Sequence, residues 1–157
     1  METAIIDSPL GHIKIEGDEQ GIIAIIFIES SEIIDPVIPE ILEDIVYQLK
    51  EYFKGERNTF DIPLNPQGTN FQKKVWRQLQ EIPFGKTVSY MDMAKELGDP
   101  KVIRAAASAN GKNPISIIIP CHRVIGSDGS LTGYAGGLHR KKWLLAHESP
   151  VTQTSLF

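Results

Sequence analysis

The sequence SYMDMAKELGDPKVIRAAASANG, residues 89–111, carries the clearest architectural signal in the chain. Ser89 is a favourable N-cap for a first helix over residues 90–97. Gly98-Asp99-Pro100 then turns the chain into a second helix that ends at Gly111. Two short helices joined by a glycine-containing turn are typical of a helix-turn-helix, an arrangement that often enters a DNA groove. This segment therefore predicts a DNA-binding unit in the C-terminal half.

The second helix holds a run of small residues at 105–109, Ala-Ala-Ala-Ser-Ala, beside the cations Lys101, Arg104 and Lys112. Alanines have high helix propensity but offer few groups that read base edges. We therefore expect close contact with a DNA groove and its phosphates, with little sequence preference. An alanine-rich helix packed in a protein core would give the same pattern.

The two halves of the chain differ in charge on either side of residues 63–66, Pro-Leu-Asn-Pro. Residues 1–64 hold 14 acidic and 4 basic residues, a formal charge of −10, whereas residues 65–157 hold 6 acidic and 12 basic residues, a charge of +6. This asymmetry favours a polyanionic partner, above all nucleic acid, for the C-terminal part. Solvated surface charge is the alternative explanation.

Composition excludes several classes of protein. The 157 residues are 41% hydrophobic and 23% charged, which is ordinary for globular domains and excludes collagenous, disordered and coiled-coil chains. No apolar run reaches bilayer-spanning length and no signal peptide is evident, so we expect a cytoplasmic protein. Cys121 is the only cysteine, and the four histidines are scattered. We therefore expect a free thiol, no metal site and no cofactor.

The N-terminal part predicts a small unit of sheet and helix. Residues 11–16 and 21–28 are rich in β-branched side chains, and we expect them to pair as antiparallel strands through a loop over 17–21. Apolar residues recur at three- and four-residue steps over 39–54, and Gly55 follows where a helix commonly ends. This pattern predicts an amphipathic helix.

A domain boundary is expected at the proline-bracketed linker 63–66, which follows a predicted short strand over 59–62. Beyond the linker, Thr69 or Asn70 can cap a further helix that ends near Pro83. The predicted divisions of the chain are an α+β domain over 1–64, a DNA-binding domain over 65–149 and a flexible tail over 150–157.

The chemistry of the chain centres on its cysteine. Residues 115–119, Ile-Ser-Ile-Ile-Ile, predict a buried strand that Pro120 ends immediately before Cys121. A cysteine becomes a nucleophile where a neighbouring base or cation favours its thiolate, and His122 and Arg123 are the adjacent candidates. Most lone cysteines are small buried hydrophobic residues, and that role is the alternative for Cys121.

Several sequence blocks around the cysteine closely resemble the O6-alkylguanine-DNA alkyltransferase family over most of residues 69–148. The resemblance implies an α+β fold, in which a small N-terminal antiparallel-sheet and helix domain, RNase H-like, precedes a C-terminal catalytic domain of the winged helix-turn-helix type. The matching blocks are PCHRV at 120–124, GYAGGL at 133–138 and KWLLAHE at 142–148, with Ser89-Tyr90, Arg104 and GKNP at 111–114 upstream.

The resemblance implies DNA repair by direct, single-use alkyl transfer from O6-alkylguanine, and also O4-alkylthymine, in double-stranded DNA. Cys121 would attack the alkyl carbon, and the resulting thioether would not be released. His122, oriented by Glu148 and acting through a water, would take the thiol proton. Tyr90 would donate to a guanine ring nitrogen as negative charge develops. Asn113 would tie together the turns between the recognition helix and the active-site strand.

The resemblance also implies base flipping, because the alkylated oxygen is buried in a base pair. Arg104 would fill the gap that the extruded base leaves, and the carbonyls of Cys121 and Val124 would accept from the guanine amino group. The implied DNA contacts are Lys101, Arg104, Ala105, Ala106, Ser108, Lys112 and Arg123. The implied alkylguanine pocket is formed by Tyr90, Val124, Tyr134, Ala135 and Gly136.

The chain departs from some relatives. Ala135 stands where some of them have a serine, so any contact there must come from the backbone amide. The zinc site of some N-terminal domains and the four-cysteine sensor domain of transcription-activating relatives are absent. Two alternatives stay open: a non-catalytic protein that flips and flags damaged bases, and a winged-helix transcription factor, which would leave the cysteine and histidine without a role.

The last five residues, Gln153 to Phe157, resemble the Gln-x-x-Leu-Phe peptide by which bacterial repair and replication proteins dock on the sliding clamp. Gln153, Leu156 and Phe157 would make that contact. The alternative is that the tail packs on its own domain. We otherwise expect a monomer.

Overall fold

The computed structural model describes residues 1–29, 37–131 and 133–149, which form two compact units. The first unit comprises residues 1–67 together with 114–118, and the second comprises 68–113 and the chain from residue 119. The segment 114–118 therefore leaves its sequence neighbours to join the N-terminal unit. The domain limits 1–64, 65–149 and 150–157 stay predictions, and the tail lies outside the described residues.

The N-terminal unit is built on a three-stranded antiparallel sheet of order β1-β2-β3, with β1 over Glu2–Ile6, β2 over His12–Asp18 and β3 over Gly21–Ile28. The predicted hairpin of β2 and β3 is confirmed. Burial alternates along β2, and Ile13 and Ile15 are fully buried. Strand β1 was not predicted.

Helix α1 spans Glu43–Phe53 and follows a single 3₁₀ turn over Glu40–Leu42, which confirms the predicted amphipathic helix. Gly55 follows the C-cap residue with a φ of 78°, a conformation that glycine adopts without strain. The buried face of the helix carries the apolar residues Ile45, Val46, Leu49 and Tyr52 and the polar residue Gln48.

The predicted strand over 59–62 is wrong. The backbone of Asp61 is bonded to a side chain instead: its N–H donates to Gln48 Oε1 at 2.9 Å, and its carbonyl accepts from Gln48 Nε2 at 3.2 Å. This pairing takes the place of a neighbouring strand. The chain joins the sheet only further on, where Leu64 forms an isolated parallel bridge with Ile22 of β3.

The predicted strand over 115–119 is also wrong. Ile115 forms an isolated bridge with Ile25 of β3, but the chain then turns, with a φ of 74° at Ile117 and a hydrogen bond from Ile118 N–H to the Ser116 carbonyl. Ile115, Ile117 and Ile119 are nevertheless all at most 1% exposed. The apolar run therefore correctly predicted that this segment is buried, but it wrongly predicted an extended backbone.

The C-terminal unit is helical, with one short pair of parallel strands. The helix-turn-helix predicted from residues 89–111 is confirmed as two helices, α3 over Tyr90–Glu96 and α4 over Ile103–Gly111, which contact each other. This helical unit and the N-terminal sheet confirm the predicted α+β fold class. The elements are α2 over Asn70–Leu79, β4 over Val88–Ser89, α3 over Tyr90–Glu96, α4 over Ile103–Gly111, β5 over Val124–Ile125 and α5 over Leu138–Glu148.

Local sequence sets the ends of two of these helices. Thr69 and Gln72 form a reciprocal capping box at the start of α2, and Ser89 and Asp92 form another at the start of α3. The indole of Trp76 donates to the Ala109 carbonyl at 2.8 Å and so ties α2 to α4. Within the described ranges, no helix has the length and apolar character needed to span a membrane.

Candidate active site

A single 3₁₀ turn, Cys121–Arg123, leads into β5 and buries three polar side chains in succession. Cys121 is 4% exposed, His122 is fully buried and Arg123 is 7% exposed. Consecutive buried polar residues are rare in globular proteins unless each has a partner. The turn therefore depends on groups that other elements supply.

Glu148, the last residue of α5, supplies the principal partner. Its Oε2 lies 2.8 Å from His122 Nε2 and accepts from Arg123 Nη2 at 3.0 Å, while its Oε1 accepts from Arg123 Nε at 2.8 Å. Arg123 Nη1 donates to the Ile82 carbonyl at 2.6 Å. One carboxylate thus orients both the imidazole and the guanidinium, and the guanidinium grips it with two parallel bonds.

This arrangement keeps Glu148 ionised. Burial opposes its ionisation, but hydrogen bonds and charge from His122 and Arg123 outweigh burial and lower the pKa of the carboxyl to about 2. Burial lowers the pKa of His122, and Glu148 opposes that shift only in part. The imidazole is therefore neutral at pH 7, with its Nε2 proton directed at the carboxylate.

The other ring nitrogen of His122 is available for chemistry. Nδ1 is buried and has no hydrogen-bond partner among the described residues. With the proton on Nε2, Nδ1 carries a lone pair. A neutral imidazole oriented by a carboxylate, with one nitrogen lone pair unused, is the arrangement of a general base.

Burial raises the pKa of the Cys121 thiol to about 11, although a hydrogen bond with the Asn113 side chain and the charge of Lys141 lower it in part. Asn113 Nδ2 also donates to the Ile119 carbonyl at 2.7 Å, which holds together the two ends of the loop before the cysteine. The resting form of Cys121 is therefore the thiol. Nucleophilic attack from it requires removal of a proton.

Lys141 is a member of this site that the sequence reasoning missed. Its side chain is fully buried, and Nζ donates to the Val124 carbonyl at 2.7 Å and lies 5.9 Å from the centroid of the Tyr90 ring. A signal was present, because Lys141 lies seven residues before Glu148 and therefore two turns along the same helix face. The run of basic residues over 140–142 gave no sign that Arg140 and Lys141 are buried whereas Lys142 is exposed.

A cleft of about 550 Å³ lies against α4 in the same unit. It brings together Tyr90, Arg104 and Tyr134 of the predicted site residues. Val124, Ala135 and Gly136, which were predicted to form a pocket with the two tyrosines, do not line it. We call it the α4 cleft; it is lined by Tyr90, Ile103, Arg104, Ala107, Asn110, Gly111, Gly133 and Tyr134.

Helix α4 and the turn before it expose most of the residues predicted to contact DNA, namely Lys101, Arg104, Ala105, Ser108 and Lys112. Two predicted contacts need correction. Ala106 is fully buried, because it shares with Ala109 the helix face that packs inward. The guanidinium of Arg123 is buried in its bonds to Glu148 and Ile82 and presents no charge to a phosphate.

Comparison with known proteins gives a consistent result. The chain matches the 6-O-methylguanine DNA methyltransferase DNA binding domain over residues 70–150 and the ribonuclease-like domain of the same family over residues 1–66. A "Methylated-DNA--protein-cysteine methyltransferase" of Methanosarcina acetivorans is 46% identical over 155 residues, which cover 94% of this chain and 98% of that protein. A relative of the same name from Mycolicibacterium paratuberculosis is 43% identical over 160 residues, 99% of this chain and 97% of that protein.

A solved structure points the same way. Mycobacterium tuberculosis OGT in complex with DNA aligns with a TM-score of 0.85 at 40% identity, over 100% of both chains. A helix-turn-helix beside a buried cysteine, histidine and glutamate defines a class of DNA-binding proteins with a cysteine nucleophile. Within that class, the chain belongs to the 6-O-methylguanine DNA methyltransferase family.

Proposed function

We propose that the chain repairs DNA by moving the alkyl group of O6-alkylguanine, and also of O4-alkylthymine, irreversibly onto the thiol of Cys121. One observation carries the proposal. The only cysteine of the chain is buried next to a histidine whose Nε2 is held by an ionised carboxylate and whose Nδ1 has no partner among the described residues. The names of the methyltransferase relatives and the DNA complex of OGT support it.

The transfer is a displacement at the alkyl carbon. The thiol proton of Cys121 passes to His122 Nδ1 through a water, and the sulfur forms a bond to carbon as the carbon–oxygen bond breaks. The electron pair of the broken bond goes to the guanine oxygen. The guanine anion then takes up a proton, which balances the one that His122 received, and stays in the DNA as unmodified guanine, while Cys121 is left as a thioether. A thioether is a poor leaving group, so each molecule acts once.

The buried residues around the thiol lower the barrier to this step. Glu148 stabilises the imidazolium that forms on His122, and Arg123 keeps Glu148 ionised. The ammonium of Lys141 favours the developing thiolate. Tyr90 donates a hydrogen bond to a guanine ring nitrogen, which stabilises the charge that develops on the departing base.

DNA recognition uses the exposed side of α4. Lys101 and Lys112 contact phosphates, and Ala105 and Ser108 allow the helix to approach a groove closely. Arg104, at the α4 cleft, fills the stack after the base is extruded. The base binds at the α4 cleft against Tyr90 and Tyr134. The resemblance adds Val124, Ala135 and Gly136 to the pocket, although they do not line that cleft. Asn113 holds the turns that carry Cys121.

The test is the mass of the intact protein after mixing with a short duplex that contains one O6-methylguanine. We expect the protein to become one methylene heavier, in stoichiometric amount, with the added group mapped to Cys121 and absent in Cys121→Ser. Unchanged mass with tight, lesion-preferring binding would overturn the proposal in favour of a damage-flagging protein. Specific binding to an undamaged operator would favour a transcription factor.

We also propose that the chain docks on the bacterial sliding clamp through Gln153, Leu156 and Phe157. The support is the sequence pattern alone, since these residues lie outside those described. Deletion of residues 153–157 should abolish capture by immobilised clamp and leave alkyl transfer unchanged. Undiminished capture by the shortened chain would overturn the docking.

We propose further that the protein is monomeric. We also propose that it resides in the cytoplasm, a reducing compartment in which a lone thiol persists. Its mass by light scattering should be that of one chain. A stable dimer would overturn this part of the proposal.

A further inference from the structure

Asn110, near the end of α4, has an unexplained polar group. The residue is 3% exposed, and its side-chain oxygen Oδ1 is buried without a hydrogen-bond partner among the described residues. A buried acceptor without a donor destabilises a fold, and native proteins contain few of them. A donor on a bound molecule would satisfy this acceptor.

The location of Asn110 indicates which ligand this is. The residue lines the α4 cleft, and so do Tyr90, Tyr134 and Ala107. The residues that line the cleft carry three kinds of polar side-chain group: the guanidinium of Arg104, the hydroxyls of the two tyrosines and the carboxamide of Asn110. No hydrogen bond holds Oδ1 in place, so rotation about the Cβ–Cγ bond can bring it to the cleft.

We propose that Asn110 Oδ1 accepts a hydrogen bond from the exocyclic amino group of the extruded O6-alkylguanine and so makes the protein selective for that base. This inference rests on the proposed function. An acceptor needs an N–H donor, and the amino group is the only N–H donor that O6-alkylguanine retains, because alkylation of the oxygen removes the proton from N1.

The same chemistry distinguishes the two lesions. O4-alkylthymine has lost its only N–H, on N3, and therefore offers Asn110 no donor. A site with an unpaired acceptor rejects a base that cannot satisfy it more strongly than an apolar wall would. Asn110 thus favours guanine lesions over thymine lesions.

The backbone carbonyls of Cys121 and Val124, which are expected to accept from the guanine amino group, do not prevent its hydrogen bond to Asn110. The Cys121 carbonyl already accepts from Val124 N–H, and the Val124 carbonyl already accepts from Lys141 Nζ. The amino group has two hydrogens, so a bond to Asn110 and a bond to one of these carbonyls can coexist.

The experiment compares single-turnover rate constants for three duplexes, which contain O6-methylguanine, O6-methylhypoxanthine or O4-methylthymine. O6-methylhypoxanthine is the guanine lesion without its amino group. In the unsubstituted protein the amino group should accelerate transfer. In Asn110→Leu, which removes the acceptor at similar volume, we expect the guanine-to-hypoxanthine rate ratio and the guanine-to-thymine ratio each to fall about tenfold.

Two further variants separate the loss of the acceptor from a failure to fold. Asn110→Ala removes the acceptor without adding bulk and should lower both ratios even if the leucine variant fails to fold. Asn110→Asp keeps an oxygen acceptor and should keep the guanine-to-hypoxanthine ratio, although its negative charge beside DNA lowers all three rates. Equal ratios in the unsubstituted protein and in folded acceptor-deletion variants would overturn the proposal. Absence of transfer from all three duplexes by the unsubstituted protein would instead contradict the proposed function.

Discussion

The turn Cys121–Arg123 and helix α4 belong to the same unit but differ in where their charged side chains lie. In the turn, the charges are buried and each is matched, with Glu148 shared between His122 and Arg123. On α4 and beside it, the cations Lys101, Arg104 and Lys112 stay exposed, and the buried positions are Ala106, Ala109 and the uncharged Asn110. The turn is built for reaction at one fixed position, whereas the helix is built for contact with a long, uniformly charged partner.

The two regions should respond differently to substitution, the turn in its transfer rate and the helix in its DNA affinity. Removing one member of a buried network leaves another charge uncompensated, and this is strongly destabilising. Removing one exposed cation loses a single screened contact. Substitutions at the turn should therefore slow alkyl transfer by one or more orders of magnitude, and substitutions of the exposed cations on and beside α4 should change DNA affinity modestly.

The largest effect is expected at His122. His122→Gln keeps a polar side chain but removes the base, so transfer at pH 7 should slow by about 10³-fold. The unsubstituted protein should react at a constant rate above neutral pH and more slowly below the His122 pKa, which is lowered from 6.5. The variant should instead accelerate tenfold per pH unit toward about 11, the pKa of the thiol. Single-turnover rates at several pH values test this, and a pH-independent variant would contradict it.

Glu148→Gln should slow transfer by about 100-fold, because an amide does not stabilise the imidazolium and leaves Arg123 without its anion. The free energy of unfolding should fall by ~3 kcal/mol in urea denaturation. Glu96→Gln is a matched control, since Glu96 is an exposed carboxylate at the end of a helix. If the control loses as much rate or stability, the network has no special role.

The same carboxylate should make folding acid-sensitive. The pKa of Glu148 is about 2 in the folded protein against an ordinary value of 4.5, so its stabilising contribution is complete above pH 4.5 and is lost as the pH falls toward 2. The free energy of unfolding of the unsubstituted protein should therefore decrease across this window. The decrease should be smaller in Glu148→Gln, and equal slopes would contradict the assignment.

Arg123→Lys keeps the charge but loses the two-pronged grip on Glu148, and we expect transfer to slow by about tenfold. DNA affinity and its dependence on salt should not change, because the guanidinium is buried in the folded protein. Fluorescence anisotropy at several salt concentrations measures both. A reduced salt dependence would restore Arg123 to the DNA interface and contradict the structure.

The smallest effect is expected on α4. Lys112→Gln should weaken DNA binding severalfold and reduce the slope of log affinity against log salt by about 1. The transfer rate at saturating DNA should stay the same. A loss of rate at saturation would mean that Lys112 acts in the chemical step and would remove the contrast between the two regions.

Local sequence rules predicted much of the framework. Thr69 and Ser89 begin their helices where capping chemistry places them, and the hairpin of β2 and β3 follows from β-branched residues on either side of a turn. The two wrong strands have different local causes. At 59–62 the Gln48 side chain takes the backbone bonds of Asp61, and at 115–119 a buried apolar run is folded into turns. Apolar composition records burial, whereas strand formation depends on a partner that lies far away in the chain.

The candidate site divides in the same way. The motif around Cys121 and His122 and the resemblance of its neighbours predicted Cys121 as nucleophile, His122 as base and Glu148 as its partner. The structure places Glu148 against His122, and the catalytic roles stay predictions. Only the seven-residue spacing from Glu148 indicated the inward position of Lys141. The burial of Arg123 and the unpaired oxygen of Asn110 had no sequence signal, because each depends on which segments pack against the residue. Residue type and spacing therefore specify the available chemistry and the local elements. Burial and the pairing of charges arise only when distant segments pack together, since solvent exclusion is a property of the whole fold.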